Sequence, residues 1–228
     1  MCGRFAFHSP AELVSRLFDV EFPLELEPRY NIAPSQYVAA LRYKESGGSE
    51  SFEPVMLRWG LVPFWAKDPS IGNRMINARQ ETADQKPAFR AAFKRRRCVI
   101  LADGFFEWRN STGGKIPTYI SRQDEQPFAM AGLWERWGEE ESQLETCTIM
   151  TTAANSFMQA LHQRMPVVLS PETARCWIDP AHVSKADLQD LLDPPPDAGL
   201  RSWEVGRDVN NPRNDGPELI RAINRDRA

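Results

Sequence analysis

A chain of 228 residues with 42% hydrophobic and 26% charged residues has the composition of a globular protein with a substantial core, and intrinsic disorder is excluded. No apolar run approaches the roughly 20 residues that a membrane-spanning helix needs, and the opening MCGRFAFHSP lacks the apolar stretch of a secretory signal. The net charge of −3 argues against a uniformly basic surface, yet ten Lys/Arg and only three acids lie between Arg58 and Arg97, a local net of +7. Such asymmetry fits either an anionic partner held on one face or a solvated basic helix end, and charge alone favours the second.

In chain order, Ser9-Pro10-Ala11-Glu12 reads as a capping box with proline at the first helical position. Leu13, Val14, Leu17 and Phe18 follow at helical spacing, which predicts a helix over 10–19. PLELEPRYNIAP reads as a proline-punctuated loop, followed by a strand at Tyr37–Tyr43, a Gly/Ser turn at Lys44–Ser51 and a partner strand at Phe52–Trp59. KPAFRAAFK (Lys86–Lys94) looks helical, and Cys98–Trp108 begins as a buried strand. Further strands fit Thr118–Arg122, Phe128–Glu135 and Thr146–Thr152. Short helices fit Ser156–Leu161, Glu172–Ile178 behind Ser170-Pro171, and Lys185–Leu192 behind Ser184. PPPDAG at 194–199 is a breaker rather than a linker, since too little chain follows for an independent core. The reading is a single α+β domain over residues 1–228, built on a curved, mostly antiparallel, barrel-like sheet with short peripheral helices.

The four cysteines, Cys2, Cys98, Cys147 and Cys176, match no metal clip and no disulfide framework. With His8, His162 and His182 the only histidines, no metal or cofactor is expected, and a reducing, cytoplasmic setting is the default.

Cys2 is the most informative residue. Removal of Met1 would leave an α-amine and a thiol on adjacent carbons, with ordinary pKa values of about 7.7–8.0 and about 8.5. Sulfur alone can attack an amide with the amine as base. Amine and sulfur together can capture an aldehyde, first as an imine and then as a five-membered thiazolidine. Position alone favours an incidental residue in a frayed terminus. Gly3 beside it permits close approach of a ligand to the backbone. His162, in ALHQRMP, is placed either for proton transfer near neutrality or as a surface histidine. Glu107, between Phe106 and Trp108, lies either on the wet face of a sheet, which the residue pattern favours, or in a buried setting suited to proton transfer. Asn77, in INAR, can orient a nucleophile or cap a turn. Arg4, Arg79 and Arg164 are phosphate candidates, and Trp59 and Trp65 can stack on bases or fill a core.

The stretches MCGR (1–4), RYNIAP (29–34), RWGLVPFWA (58–66), INARQET (76–82), KPAFRAAFKRRRCVILADGFFEW (86–108), ALHQRMPVVLSPE (160–172) and VNNPRNDGPELI (209–220) occur in one order along nearly the whole chain. Together they closely resemble the SRAP family, the SOS-response-associated peptidases that handle abasic sites in DNA. The resemblance implies a single domain, expected to be monomeric, in which Cys2 lies at the base of a groove for single-stranded DNA and captures the ring-opened abasic sugar as a thiazolidine. It implies that Asn77 positions the terminal residue and that Glu107 and His162 move protons. Gly3, Arg4, Pro34, Trp65, Arg79 and Arg164 would contact the DNA. Self-removal of Met1 and strand scission through the imine are associated activities. Two positions depart from the family pattern: Ala66 stands where some relatives carry a second aromatic, and Pro87 where some carry an arginine.

Other classes compete. An N-terminal-nucleophile glutamine amidotransferase also begins Met-Cys-Gly, but expects an apolar strand directly after the cysteine, where Arg4 and a capped helix are read here. A plain single-strand-binding module would use the basic surface without chemistry. A thiol peptidase acting on other proteins needs only Cys2 and His162.

Overall fold

The computed structural model describes residues 2–22, 26–44, 51–181, 185–194 and 199–223. The chain forms β1 (Phe5–Phe7), α1 (Ala11–Phe18), β2 (Arg29–Ile32), β3 (Tyr37–Lys44), β4 (Ser51–Trp59), β5 (Asn77–Arg79), α2 (Arg90–Arg95), β6 (Arg97–Ala102) and β7 (Gly104–Ser111). It continues through β8 (Gly114–Arg122), β9 (Phe128–Trp137), β10 (Leu144–Ala153), α3 (Ser156–Gln159), β11 (Arg164–Pro166), β12 (Val168–Leu169), α4 (Pro171–Ile178), α5 (Lys185–Leu192) and β13 (Leu200–Glu204). Residues 45–50 of the expected Gly/Ser turn, 195–198 of the expected breaker, and Met1, His182 and Ser184 lie outside the described residues.

Two sheets carry the fold. In the larger, β10, β4, β3, β6 and β9 pair in sequence and β9 pairs back to β10, which closes a five-stranded barrel. Closure removes the exposed edges that an open sheet would present. Its pairings are antiparallel except where β10 runs parallel to β4 and then to β5. The second sheet runs β13-β8-β7-β1-β2, antiparallel throughout. The expected α+β class with a curved, mostly antiparallel, barrel-like core and short helices is therefore borne out.

The local differences have physical causes. The helix expected at 10–19 starts at Ala11, but no side chain caps it, and Pro10 is the capping residue rather than the first helical one. The Ser9 hydroxyl and the amides of His8 and Ser9 are instead drawn to the buried carboxylate of Asp103. That carboxylate sits where one expected strand divides in two. β6 ends at Ala102 in the barrel, and β7 begins at Gly104 in the second sheet. A Cβ at Gly104 would lie 2.4 Å from the Tyr119 ring, so only glycine lets the chain cross there.

RYNI forms β2 rather than part of a loop, paired through Phe5↔Ile32 with β1, which was itself read as no element. An apolar strand thus does follow Cys2, and its supposed absence does not separate this chain from an amidotransferase. The helix expected at Lys86–Lys94 is displaced toward its basic end, Arg90–Arg95. β13 was not anticipated.

The main core fills the barrel and the space beneath its helices. Trp177 of α4 anchors it, donating from Nε1 to Cys98 O at 2.8 Å and meeting Phe93 edge-on at 5.9 Å. A smaller cluster, with Phe106, Tyr119, Val205 and Val209 at its centre, lies beneath the second sheet.

Cys2, Cys98 and Cys147 are fully buried, and burial raises each thiol pKa. Unfolded thiols ionise near pH 8.5. Above that pH the folded state keeps protons that the unfolded state loses, so stability falls as pH rises. The fall is about 1.4 kcal/mol per pH unit for each thiol. Urea unfolding followed from pH 7 to 10 is expected to show this decline beginning near pH 8.5, and a clearly shallower decline in the Cys98→Ala/Cys147→Ala double variant. Parallel pH profiles would contradict the assignment.

Candidate functional site

Cys2 precedes β1, an interior strand of the second sheet. β1 lies between β2 and β7, with Phe5 opposite both Ile32 and Phe105. Phe106 N donates to Arg4 O at 2.9 Å, which carries the pairing back almost to Cys2. The barrel supplies the other restraint: Asn77 Nδ2 donates to Cys2 O at 2.8 Å. Asn77 is itself fixed because β5 pairs with β10 (Asn77 opposite Ile149) and because Ile76 O accepts from Ile149 N and from the Trp59 indole. The second amide atom, Asn77 Oδ1, is buried and has no hydrogen-bond partner among the described residues.

The Cys2 thiol is enclosed. Burial, followed by the nearby Glu107 carboxylate, pushes its pKa up to about 12, and Sγ lies 4.0 Å from Arg4 O. Glu107 does not occupy the wet face that its sequence setting favoured. It is 4% exposed, because β7 is covered on both sides, with Phe105 in the main core and Phe106 in the smaller cluster. Cys2 ahead of β1, Asn77 of β5 and Glu107 of β7 thus converge.

β10 gathers the remaining polar candidates. Along it, Arg79 stands opposite Thr151 and Arg164 opposite Ala153. At the end of α3 the His162 backbone N–H donates to Met158 O at 2.8 Å, and its Nδ1 lies 2.9 Å from Arg164 N and 3.1 Å from Arg164 O. Arg79 is exposed. Arg164 donates to Thr151 O at 2.7 Å and grips both carboxylate oxygens of Glu81, a residue the sequence reading passed over although it lies in INARQET.

Arg4 is more structural than expected. Its Nη1 donates to Asn31 Oδ1 at 2.7 Å and to Val209 O at 2.8 Å. Asn31, fully buried and also missed, donates to Asn211 O and Asn214 O, so the two residues clasp the C-terminal segment over the N-terminal strand. The signal was present in RYNIAP and VNNPRND, two asparagine-bearing stretches far apart in sequence. Gly3 is half-buried beside Cys2.

Pro34 is half-buried in the turn leading to β3, where Ser35 adopts φ +73° and its amide donates to Trp59 O. Trp65 is 49% exposed and reaches Pro87 O from Nε1 at 3.4 Å. Among the described residues no hydrogen bond, ion pair or ring contact joins Pro34 or Trp65 to Cys2. Trp59, the other stacking candidate, is fully buried and packs edge-on against Phe5 at 5.2 Å, so it is a core residue. Gly60 turns the chain out of β4 at φ +128°, and its close approach to Gly72 O leaves no room for a Cβ, which sets the loop carrying Trp65. Among the described residues no three His, Cys, Asp or Glu side chains cluster as a metal site, and no helix is long and apolar enough to cross a membrane.

A terminal cysteine clamped between two sheets, beside a buried carboxylate, agrees with the comparison to known proteins. The sequence model of the SOS response associated peptidase (SRAP) family matches residues 1–212. The chain belongs to the SRAP family. The abasic site processing protein YoaM of Bacillus subtilis is 42% identical over 98% of this chain and 99% of its own length. YedK of Escherichia coli, also named an abasic site processing protein, is 34% identical over 98% of this chain and its own full length. A crystal structure of a Bacteroides thetaiotaomicron protein superposes with a TM-score of 0.84 at 26% identity, covering 97% of this chain and 100% of that one. The family match begins at residue 1, so the SRAP assignment includes Cys2, and it sets aside the amidotransferase reading.

The enclosure of Cys2 has a measurable consequence. With its pKa at about 12, the Cys2 thiol of the chain that retains Met1 carries roughly a thousandfold less thiolate at pH 8.5 than an ordinary cysteine. Cys176 is the exposed thiol among the four. Iodoacetamide followed by peptide mass spectrometry is expected to label Cys176 rapidly and Cys2, Cys98 and Cys147 only after denaturation. Rapid native labelling of Cys2 would contradict the site as described.

Proposed function

We propose that this chain, acting as a single-domain cytoplasmic monomer, captures abasic sites in single-stranded DNA through Cys2 after loss of Met1. The relatives' names, abasic site processing proteins, support the substrate class. The observation that carries the chemistry is the seating of Cys2, its carbonyl held by Asn77 with a buried carboxylate alongside. An incidental frayed terminus has no such restraint.

Loss of Met1 is hydrolysis of the Met1–Cys2 amide, which consumes one water and turns the Cys2 nitrogen into a primary amine. The amine adds to the aldehyde carbon of the ring-opened deoxyribose, and water leaves to give the imine. The thiol sulfur then bonds to the same carbon, and its proton passes to nitrogen, closing the thiazolidine. Overall, one water is released per adduct.

Asn77 Oδ1, a buried acceptor, is suited to receive an N–H of the new amine and aim its lone pair. Glu107 is suited to take the thiol proton as sulfur attacks, which answers the raised thiol pKa. His162, an imidazole able to donate or accept a proton, is suited to open the sugar ring. Arg79 would meet the phosphates directly. Arg164 would do so by exchanging Glu81 for phosphate, and Arg4 through the donors left beyond its clasp. Trp65 and Pro34 would offer apolar surface to neighbouring nucleotides. The imine stage also permits strand scission: a C2′ proton is lost and the 3′ phosphate leaves.

Intact-mass measurement under denaturing conditions tests the reading. The Met1-free chain mixed with a single-stranded oligonucleotide bearing one abasic site is expected to give a species equal to protein plus oligonucleotide minus one water. Cys2→Ser and the Met1-retaining chain are expected to give no lasting adduct. Binding without any adduct in the Met1-free chain would replace the reading by a plain DNA-binding module.

A further inference from the structure

Away from Cys2, the α2 side of the barrel carries a basic trough made of two adjoining cavities. The first, about 840 Å³, is lined by Arg90, Lys94, Arg95, Arg96 and Arg136, with Asp84 and Glu135 the only carboxylates. The second, about 500 Å³, adds Arg42, Lys44 and Arg97 around Trp134, with Glu53 its one carboxylate. Arg95 and Arg136 line both, so the cavities meet.

Six of these eight cations fall into two sets. In the first set, Glu145 binds Arg136 at 2.8 Å and Arg42 at 2.9 Å, and both guanidiniums stack on Trp134, at 5.0 and 4.5 Å from its ring centre. Arg96 is tied to Glu135 at 2.6 Å. These are fixed and largely neutralised. On the rim, Arg90, Lys94 and Arg95 are exposed and make no ion pair among the described residues. Three unneutralised cations on two turns of chain repel one another, a cost that an anionic ligand relieves. A small anion needs one convergent pocket; these cations are strung along an open trough, which suits a polyanion.

The trough also has a direction. Phe64, 60% exposed, forms its edge, and the next residue is Trp65. A strand lying on Trp65 is therefore led toward Arg90, Lys94 and Arg95.

We propose that this trough binds the phosphate backbone of the DNA strand beyond the lesion, a second contact surface that holds the strand while Cys2 works. The inference rests on the reading of the chain as a protein that acts on DNA, and the test separates the two. Lys94→Gln/Arg95→Gln alters exposed side chains outside the capture site, and a thermal melt confirms its fold. The probe for the trough is undamaged single-stranded DNA of about 16 nucleotides, and the probe for capture is an abasic strand of about 4 nucleotides.

Wild-type protein is expected to bind the long strand with a salt dependence whose slope falls by about 1.4 in the double variant, about 0.7 for each lost phosphate contact. Affinity at low salt is expected to drop tenfold or more, with adduct formation on the short abasic strand unchanged. Lys115→Gln, in the exposed β7–β8 hairpin, is the control for net charge and is expected to leave the slope as in wild type. An unchanged slope in the double variant, an equal loss in Lys115→Gln, or no wild-type binding to the long strand would each overturn the trough while leaving capture intact. Absence of adduct on the short strand would instead overturn the reading on which the trough rests.

Discussion

The hydrogen bond from Asn77 to the Cys2 carbonyl is the tie on which the site depends, because it joins the two sheets at the residue that carries the chemistry. A buried carbonyl must find a donor or incur a desolvation penalty of about 1–3 kcal/mol. Here the donor is a side chain from the barrel, although the strand that follows Cys2 belongs to the other sheet. The second residue of the chain, ordinarily among the most mobile, is thereby held like a core residue. Preorganisation of this kind is what a reaction needs if two atoms of one residue are to close on a single carbon.

The surrounding architecture serves that tie. β10 is the hub: it closes the barrel against β9, runs parallel to β4 and β5 on its other side, and pairs with β11 beyond. Asn77, Arg79 and Arg164 are positioned by this one strand. From the opposite direction, Arg4 and Asn31 draw the 209–214 segment over the N-terminal strand. Residues from the beginning, middle and end of the chain therefore share one small volume, and local sequence cannot display that arrangement.

The sequence was legible where pattern length was sufficient. The long strands β3, β4, β9 and β10 and the helix α4, capped by Ser170 as expected, follow from composition and spacing. Three- and four-residue strands such as β1, β2 and β5 contain too few positions for a period to emerge, and these are the elements that build the site. The Ser9 cap signal was sound locally but lost to Asp103, a partner more than ninety residues away, which satisfies several donors at once. Glu107 was misplaced because alternation reports a wet face only when one side of a strand is open, and β7 is covered on both. The roles of Cys2, Asn77, Glu107 and His162 came from the family resemblance. The residues themselves left open whether Cys2 reacts or merely frays.

The most direct measurement of the central claim is a crystal structure of the Met1-free chain after reaction with a short abasic strand. The account predicts continuous density from both the Cys2 nitrogen and Sγ to a single sugar carbon, with Asn77 still bonded to the Cys2 carbonyl. A sugar joined through a lysine, or through sulfur alone with the amine unengaged, would contradict it.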